Sequence, residues 1–234
     1  MHVIGIVTAL RTEASCVTQA RIPFNKPIHI HDHAMLWLSG MGNDAAGLAA
    51  QRLLEQGATA LVSFGVAGAL DARLKPGDLV LPDAICAHTL LPVDHSWRDR
   101  LQQKLPNDIR IVNGIIANSD AALTDESAKQ RLADASSACA VDMESAAIAH
   151  AAEQAHIPFL AVRAIIDPVQ FSPPPVLLDA VYPDGSVNPL RLTALILKRS
   201  VRLSTLLQMS SAMHAARNTL TRVIQSAGIA LSVD

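Results

Sequence analysis

The chain has 234 residues, of which half are hydrophobic, 17% are charged and 3% are aromatic, and its formal net charge is −2. This composition excludes a disordered chain, and it offers no basic field or zinc-finger spacing that would attract nucleic acid. Cys16, Cys86 and Cys139 lie far apart and form no CxxC pair, which is typical of reduced thiols in a cytosolic protein. No apolar run reaches the roughly 18 residues of a membrane span, so we expect a cytoplasmic, single-domain protein that does not cross a membrane.

The first half of the chain alternates between apolar runs and polar or helical stretches. Strands are predicted at residues 2–10, 34–39 and 60–64. Glu13 follows the first of them and is expected at the end of a strand. After the second, Asn43 or Asp44 is expected to cap a helix over residues 45–56. After the third, residues 65–68 are predicted to form a glycine loop in which a ligand, including phosphate, can meet main-chain amides.

The second half continues the alternation. Further strands are predicted at residues 78–82, 109–117, 140–143 and 159–166, and helices over residues 127–136 and up to Glu153. Residues 88–103 are polar and are predicted to lie at the surface. Glu144 and Asp167 each follow a predicted strand directly. Alternating strands and helices predict a three-layer α/β domain, with polar residues gathered at strand ends, where such folds place their sites.

The composition changes after Asp167. Six prolines predict a loop that acts as a lid; they are Pro168, Pro173, Pro174, Pro175, Pro183 and Pro189. From residue 186 onward six basic residues, among them Arg199, stand against the single acid Asp234, so this segment carries a formal charge of +5 and the remainder −7. Leucines recur in it near helical spacing, so we interpret residues 186–234 as a basic helical extension of the domain formed by residues 1–185. The extension either meets a membrane surface or packs as an ordinary helix whose cations face water.

Three acidic residues are candidates for chemistry, because each follows or lies beside an apolar run: Glu13, Glu144 and Asp167. Cleavage of a glycosidic bond needs an acid for the leaving group, a base for the incoming water and a group that stabilises the positive charge on the sugar. Three convergent carboxylates can fill these roles. The alternative is that Glu13 and Glu144 are solvated residues at helix starts and that Asp167 forms a turn.

Four sequence blocks, in this order, resemble a known family. They are GIVTALRTEAS, SGMGNDAAG, SFGVAGALDARLKPGDLVLPD and VDMESAAIAHAAEQAHIPFLAVRAIID, and together they span about residues 3–168. The pattern is similar to that of the purine nucleoside phosphorylase and uridine phosphorylase superfamily, and within it to the methylthioadenosine/adenosylhomocysteine nucleosidases and the hopanoid-associated phosphorylase. The resemblance implies a three-layer αβα sandwich with a central mixed sheet, and an enzyme that cleaves the N-glycosidic bond of a purine nucleoside.

The resemblance also implies roles for individual residues. Glu144 would accept hydrogen bonds from the ribose hydroxyls, with Met143 against the sugar. Asp167 would protonate the imidazole-ring nitrogen of the purine, and Glu13 would orient and deprotonate water. The other residues expected at the site are Val66, Ala67, Gly68 and Asp142 as substrate-binding residues, Arg163 as an electrostatic partner and Arg11 as an alternative phosphate ligand.

The chain departs from the nucleosidases at several positions. It has Asp142 in place of Glu, Ile166 in place of the Ser before the catalytic Asp, and Val66 in place of Ser. After Asp120 it has only aliphatic residues, at 121–123, where the nucleosidases offer a ring to stack on adenine. The base is therefore expected to be held less by stacking, and small free nucleosides are expected to bind poorly.

The long basic tail is similar to that of the hopanoid-associated enzymes, which are thought to release adenine from adenosylhopane. The resemblance therefore implies hopanoid biosynthesis, a lipid-linked nucleoside, peripheral membrane contact through the C-terminal helices and a homo-oligomer, most simply a dimer. Alternatives are a methylthioadenosine/adenosylhomocysteine nucleosidase and a non-catalytic nucleoside-binding protein. Hydrolysis, which Glu13 favours, and phosphorolysis both stay open, and phosphorolysis would use inorganic phosphate as co-substrate. No other cofactor is expected, and His29, His31 and His33 lack a partner that would complete a metal site.

Overall fold

A computed structural model of the protein describes residues 3–171, 174–198 and 200–229, together with residues 231 and 233. A few residues on which predictions rest lie outside the described residues. They are His2 at the start of the first predicted strand, Pro173 of the proline cluster, and Arg199 and Asp234 of the basic tail.

The described residues form eleven strands that belong to one mixed sheet. In chain order the strands are β1 (Ile4–Thr8), β2 (Pro27–His31), β3 (Ala34–Leu38), β4 (Ala60–Ala69), β5 (Leu79–Val80), β6 (Ala84–Cys86), β7 (Leu90–Pro92), β8 (Ile111–Val112), β9 (Ile115–Asn118), β10 (Ala140–Asp142) and β11 (Phe159–Asp167). Along the sheet the order is β2-β3-β1-β4-β10-β9-β6-β7. Strand β11 pairs with β4 and β5, and β5 pairs with β8.

Helices cover both faces of this sheet. They are α1 (Arg11–Val17), α2 (Asn43–Glu55), α3 (His95–Lys104), α4 (Glu126–Ser136), α5 (Ser145–Gln154), α6 (Pro189–Leu197) and α7 (Leu203–Ala227), with a 3₁₀ helix at Pro175–Ala180. On one face α2 and α5 bury Leu53 and Ile148, and on the other α1, α3 and α7 bury side chains that include Trp97 and Leu220. The predicted three-layer αβα sandwich with a central mixed sheet is confirmed.

The long strand β4 brings the candidate residues together. Its first half pairs in parallel with β1, almost its whole length pairs in parallel with β11, and its end pairs antiparallel with β10, where Val141 lies opposite Gly68. The residues that follow these neighbouring strands therefore meet beside the second half of β4. They are Glu13 after β1, Glu144 after β10 and Asp167 at the end of β11.

The glycine loop predicted at residues 65–68 is wrong, because this stretch continues β4 and pairs with both β10 and β11. Its small residues do not form a turn. They allow the side chains of Glu13, Arg163 and Asp167 to lie close to the strand. A Cβ atom on Gly65 would overlap Arg163 and lie 2.5 Å from Glu13 Oε1, and one on Gly68 would lie 3.1 Å from both carboxylate oxygens of Asp167. The amide of Val66 is also taken, because it donates to Glu13 Oε1 at 2.9 Å.

One further prediction is wrong, and another, that of surface at residues 88–103, is right only in part, because most of these residues are exposed but several are buried. The second helix begins at Asn43 and follows Gly42, whose φ of 97° is a conformation that favours glycine, so neither Asn43 nor Asp44 is the capping residue. The segment 88–103, predicted as polar surface, contains most of α3, whose Trp97 is fully buried and donates from its indole nitrogen to the carbonyl of Leu231 at 2.7 Å.

The C-terminal segment forms two helices, and the two ends of α7 differ. The second half of α7 packs in the core, where Ala216, Leu220 and Val223 are fully buried. There the basic residue Arg222 pairs with Asp108 at 2.6 Å, as on an ordinary packed helix. The first half, by contrast, leaves large apolar side chains exposed.

Candidate active site

A cavity of about 730 Å³ lies beside the second half of β4. Most of the predicted site residues line it: Glu13, Val66, Ala67, Gly68, Asp142, Met143, Glu144 and Asp167. Another part of the lining, which we call the apolar wall, comes from residues 177–192 and from α7, and it includes Leu177, Val181, Leu192, Leu206, Met209 and Met213. None of the lining residues from 177–192 or from α7 is charged, so the charged groups of the cavity come from the rest of its lining. A largely apolar lining with a few polar groups is usual for small-molecule sites.

Glu13 is a buried carboxylate in the first turn of α1, not a residue at a strand end. The free amides of a helix start explain its position: Oε2 accepts from the amides of Ala9 at 3.0 Å and Leu10 at 2.8 Å, and Oε1 accepts from Val66. Burial raises the pKa of Glu13 to about 7, although the Arg163 guanidinium lowers it and the Glu144 carboxylate raises it further. A carboxylate with such a pKa can accept a proton near neutral pH.

Arg163, from the middle of β11, is the buried cation beneath the site. Its guanidinium is 1% exposed and pairs with Asp142 at 2.6 Å and, more loosely, with Glu144 at 3.7 Å. It also donates to the hydroxyls of Ser63 at 2.6 Å and Ser145 at 3.1 Å. Arg163 thus lies against two of the acidic residues and does not line the cavity, and its electrostatic role in the reaction stays a prediction.

Asp142 lines the cavity, yet both of its oxygens are engaged within the protein. Oδ1 accepts from the amides of Glu144 at 3.3 Å and Ser145 at 3.0 Å, and Oδ2 is bonded by the Ser145 hydroxyl and by Arg163. These bonds hold the start of α5. Asp142 thereby fixes the backbone that carries Met143 and Glu144.

Glu144 directly precedes α5 and reaches back towards the start of α2. Its Oε1 accepts from the amide of Gly42 at 3.0 Å. Burial raises its pKa, and Arg163 opposes this shift. Because the side chain is held from one side and lines the cavity with Met143, it can accept hydrogen bonds from a ligand's hydroxyl groups.

Asp167 ends β11 and is paired with a buried lysine that was not among the predicted site residues. Lys129 of α4 forms a short ion pair with Asp167 Oδ2 and lines the same cavity. Burial raises the pKa of Asp167, and Lys129 lowers it. A lysine within a polar helix is usually solvated, and its partner lies 38 residues further along the chain, so no local signal identifies it.

Arg11 is placed away from the cavity. Its guanidinium binds Asp184 at 2.9 Å and the carbonyl of Ile22 at 2.9 Å, and its amide donates to the carbonyl of Asp184 at 2.8 Å. These contacts tie the segment after the 3₁₀ helix to the start of α1. The structure therefore gives Arg11 an anchoring contact and does not bring it to the other site residues.

Within the described parts of the chain, every helix is either too short or too polar to cross a bilayer. No group of three or more histidine, cysteine, aspartate or glutamate side chains in the same described ranges has an arrangement that could hold a metal ion.

Buried carboxylates gathered around one cavity of a three-layer α/β fold define an enzyme-type site. The chain belongs to the phosphorylase superfamily, whose model matches residues 4–181. The predicted superfamily and the prediction that the chain is an enzyme are confirmed.

The individual relatives share less than 30% sequence identity with the chain. The chain is 28% identical over 192 residues to the 5′-methylthioadenosine/S-adenosylhomocysteine nucleosidase of Colwellia psychrerythraea, covering 70% of this chain and 79% of that protein. Among solved structures, the nucleosidase of the same name from Neisseria meningitidis, in complex with methylthio-immucillin-A, has a TM-score of 0.73 at 17% identity, with 100% of both chains covered. Futalosine hydrolase of Helicobacter pylori has a TM-score of 0.68 at 17% identity, covering 96% of this chain and 97% of that one. At these identities the structures establish a shared fold.

Proposed function

We propose that the protein cleaves the N-glycosidic bond of an adenine nucleoside by hydrolysis, and that the nucleoside carries a large apolar group at its 5′ position, adenosylhopane of hopanoid biosynthesis being the expected case. The observation that carries the proposal is the shared cavity: the buried carboxylates of Glu13 and Glu144, the partly buried carboxylate of Asp167 and an extended apolar wall line the same space. Relatives named as nucleosidases that act on methylthioadenosine and adenosylhomocysteine support the reaction type.

The carboxylates divide the chemistry between them. Asp167, whose pKa is raised by burial, donates a proton to the imidazole-ring nitrogen of adenine and so makes the base a neutral leaving group. Glu144 accepts hydrogen bonds from the ribose hydroxyls and stabilises positive charge on the sugar. Glu13, with a pKa of about 7, takes a proton from the attacking water. Each proton transfer of this kind contributes roughly 10²–10⁴-fold to the rate.

Hydrolysis is favoured over phosphorolysis by the charges around the cavity. Among the described lining residues, Lys129 is the one with a basic side chain, and its ammonium is already paired with Asp167. Arg11 is bound to Asp184, and Arg163 is buried among carboxylates. A phosphate dianion would thus meet Glu13 and Glu144 without an available cation, so inorganic phosphate is not expected to serve as co-substrate.

The product identifies the nucleophile. With adenosylhopane as substrate, ³¹P NMR of a reaction run in phosphate buffer is expected to show no sugar 1-phosphate, while adenine is released at the same rate with and without phosphate. An Asp167→Asn variant is the control for the acid and is expected to lose about 10²–10⁴-fold in kcat. A sugar 1-phosphate product would overturn the hydrolytic mechanism. An active Asp167→Asn variant would overturn the role of the acid, and failure of every adenine nucleoside to react would favour a binding protein.

The 5′ substituent is inferred from the apolar wall and its surroundings. The first half of α7 leaves Leu203 and Leu207 63% exposed, and the start of α6 leaves Leu190 82% exposed. Leu207 also lines the cavity. Exposed basic residues, Lys198 and Arg202, stand in the same stretch of chain. We propose that this apolar and basic surface meets an anionic membrane, from which a cytoplasmic enzyme receives its lipid-linked substrate.

A soluble adenine nucleoside is the second candidate, and the names of the relatives favour it. Against it stands the lining near residues 121–123, where Ala121, Ala122 and Leu123 offer no ring to stack on adenine. A homo-oligomer, most simply a dimer, is proposed in either case, because Met41 and Leu48 at the α2 end of the cavity are 38% and 45% exposed. Sedimentation of the protein would show a single monomeric species if this is wrong.

A further inference from the structure

Lys129 is a buried cation held by three acceptors. Its ammonium pairs with Asp167 Oδ2 and donates to the carbonyls of Pro168 at 3.0 Å and Phe171 at 3.0 Å, and its side chain is 1% exposed. An ammonium group has three N–H donors and no acceptor, so this environment satisfies the charged form completely. A neutral amine would direct its lone pair at one of these oxygens. Lys129 is therefore expected to keep its charge throughout the reaction.

The two carboxylate oxygens of Asp167 have different surroundings. Lys129 bonds Oδ2 on one side, and Gly68 of β4 lies so close that a Cβ atom there would be 3.1 Å from both carboxylate oxygens. The carboxyl group is thus held between a cation and a strand, which leaves Oδ1 for a ligand in the cavity that Asp167 lines.

Other charged groups around this pair are either exposed or paired elsewhere. On α4 itself Glu126, Arg131 and Asp134 are exposed, and so is Asp120 in the loop after β9. The carboxylates that line the cavity from the other elements are Glu13 of α1, Asp142 of β10 and Glu144 before α5, which surround Arg163. Lys129 is the charged neighbour that acts on the pKa of Asp167, and it lowers that pKa against the effect of burial.

We propose that Lys129 is a positioning residue of the reaction, which holds Asp167 Oδ2 and stabilises the carboxylate that Asp167 becomes when it gives up its proton. The inference rests on the proposed role of Asp167 as the acid. In the step concerned, the proton on Oδ1 moves to the ring nitrogen, and the electron pair of the breaking C–N bond goes to the base. Water adds to the anomeric carbon and loses its proton to Glu13. Lys129 loses no proton; its charge faces the new carboxylate.

Removal of the Lys129 charge is expected to change the pH dependence of the activity. Asp167 must be protonated to act, so activity falls as pH rises through its pKa. Removing the cation raises that pKa, which extends activity to higher pH. The same change makes Asp167 a weaker acid and lowers the plateau rate.

The test compares Lys129→Met with Lys129→Arg by measuring kcat and kcat/KM against pH. The Met variant is expected to lose about 10- to 100-fold in plateau kcat and to move the basic limb up by about one pH unit or more. The Arg variant keeps the charge and is expected to keep the basic limb. A Met variant with an unchanged limb, whatever its plateau, would overturn the proposal, since a merely structural lysine changes rate or stability alone.

Two controls separate this inference from the proposed function. If Asp167→Asn is active, Asp167 is not the acid and the proposed function fails; if it is inactive while Lys129→Met matches the wild type, only the inference about Lys129 fails. Should the Met variant not fold, Lys129→Gln makes the same comparison. In either variant a ¹³C NMR titration of the Asp167 carboxyl group, without substrate, is expected to show the upward pKa shift independently of activity, and an unshifted titration would contradict it.

Discussion

Gly65 is the position at which the smallest change should do the most damage. A Cβ atom added there would lie 2.5 Å from Glu13 Oε1 and would overlap Arg163 Nη1, whereas ordinary contacts begin at 3.4 Å. The Glu13 carboxylate would have to retreat by about 0.9 Å, which stretches its 2.9 Å hydrogen bond from the amide of Val66. Displacements of about 1 Å in a catalytic group can reduce the rate about 10²-fold, and overpacking of this kind costs about 1–3 kcal/mol in stability.

The assay is steady-state adenine release by the Gly65→Ala variant, together with its free energy of unfolding in urea. A matched control is Gly47→Ala in the middle of α2, where the added Cβ would lie at an ordinary 3.5 Å from the Cβ of Ala147. Because alanine is the better helix former by about 1 kcal/mol, the control is expected to be more stable and fully active. If Gly65→Ala keeps wild-type kcat/KM, the close packing of Glu13 against β4 does not matter for catalysis.

Three further predictions concern the base, its linkage to folding and the apolar wall. Glu13→Gln is expected to lower kcat/KM by about 10²–10⁴-fold and to abolish the acidic limb near pH 7; a variant that keeps the limb would mean that another group is the base. Because the pKa of Glu13 rises from 4.5 to about 7 on folding, its contribution to stability is complete below pH 4.5 and is lost as pH rises through 7. The unfolding free energy of the wild type minus that of Glu13→Gln should therefore fall by up to about 3 kcal/mol as the pH rises from 4.5 through 7. A difference independent of pH would show that Glu13 does not titrate there. Leu206→Gln is expected to reduce kcat/KM about tenfold for a lipid-linked nucleoside and little for methylthioadenosine, whereas Leu90→Gln, at an exposed position of β7 outside the cavity lining, should affect neither. Equal losses on both substrates would place the 5′ group elsewhere.

The strands, and the carboxylates that end or follow them, could be predicted because the sequence patterns that indicate them are local. The run that forms β11 is apolar up to Asp167 except for Arg163, and the run that forms β1 is bounded by the turn before Glu13. The loop predicted at residues 65–68 was wrong because the glycines and the alanine there have little strand propensity of their own. Their strand conformation comes from β10 and β11, which lie on either side of them and are distant in sequence.

The charge partners of the site could not be predicted for a related reason. Lys129 meets Asp167 across 38 residues, and Arg163 meets Ser63 across 100. No local sequence pattern around Lys129 or Arg163 indicates such a contact. For α3 a weak local signal existed, since Trp97 and Leu101 stand four residues apart, but the polar residues around them concealed it.

The apolar wall is proposed to select a nucleoside with a large apolar 5′ substituent. The most direct measurement is kcat/KM for adenine release from adenosylhopane in detergent, compared with methylthioadenosine under the same conditions. We predict a preference for adenosylhopane of at least about tenfold, the effect of burying one further large apolar side chain's worth of surface. A preference for methylthioadenosine would contradict the account and would leave a nucleosidase for soluble nucleosides whose exposed apolar and basic C-terminal surface has another purpose.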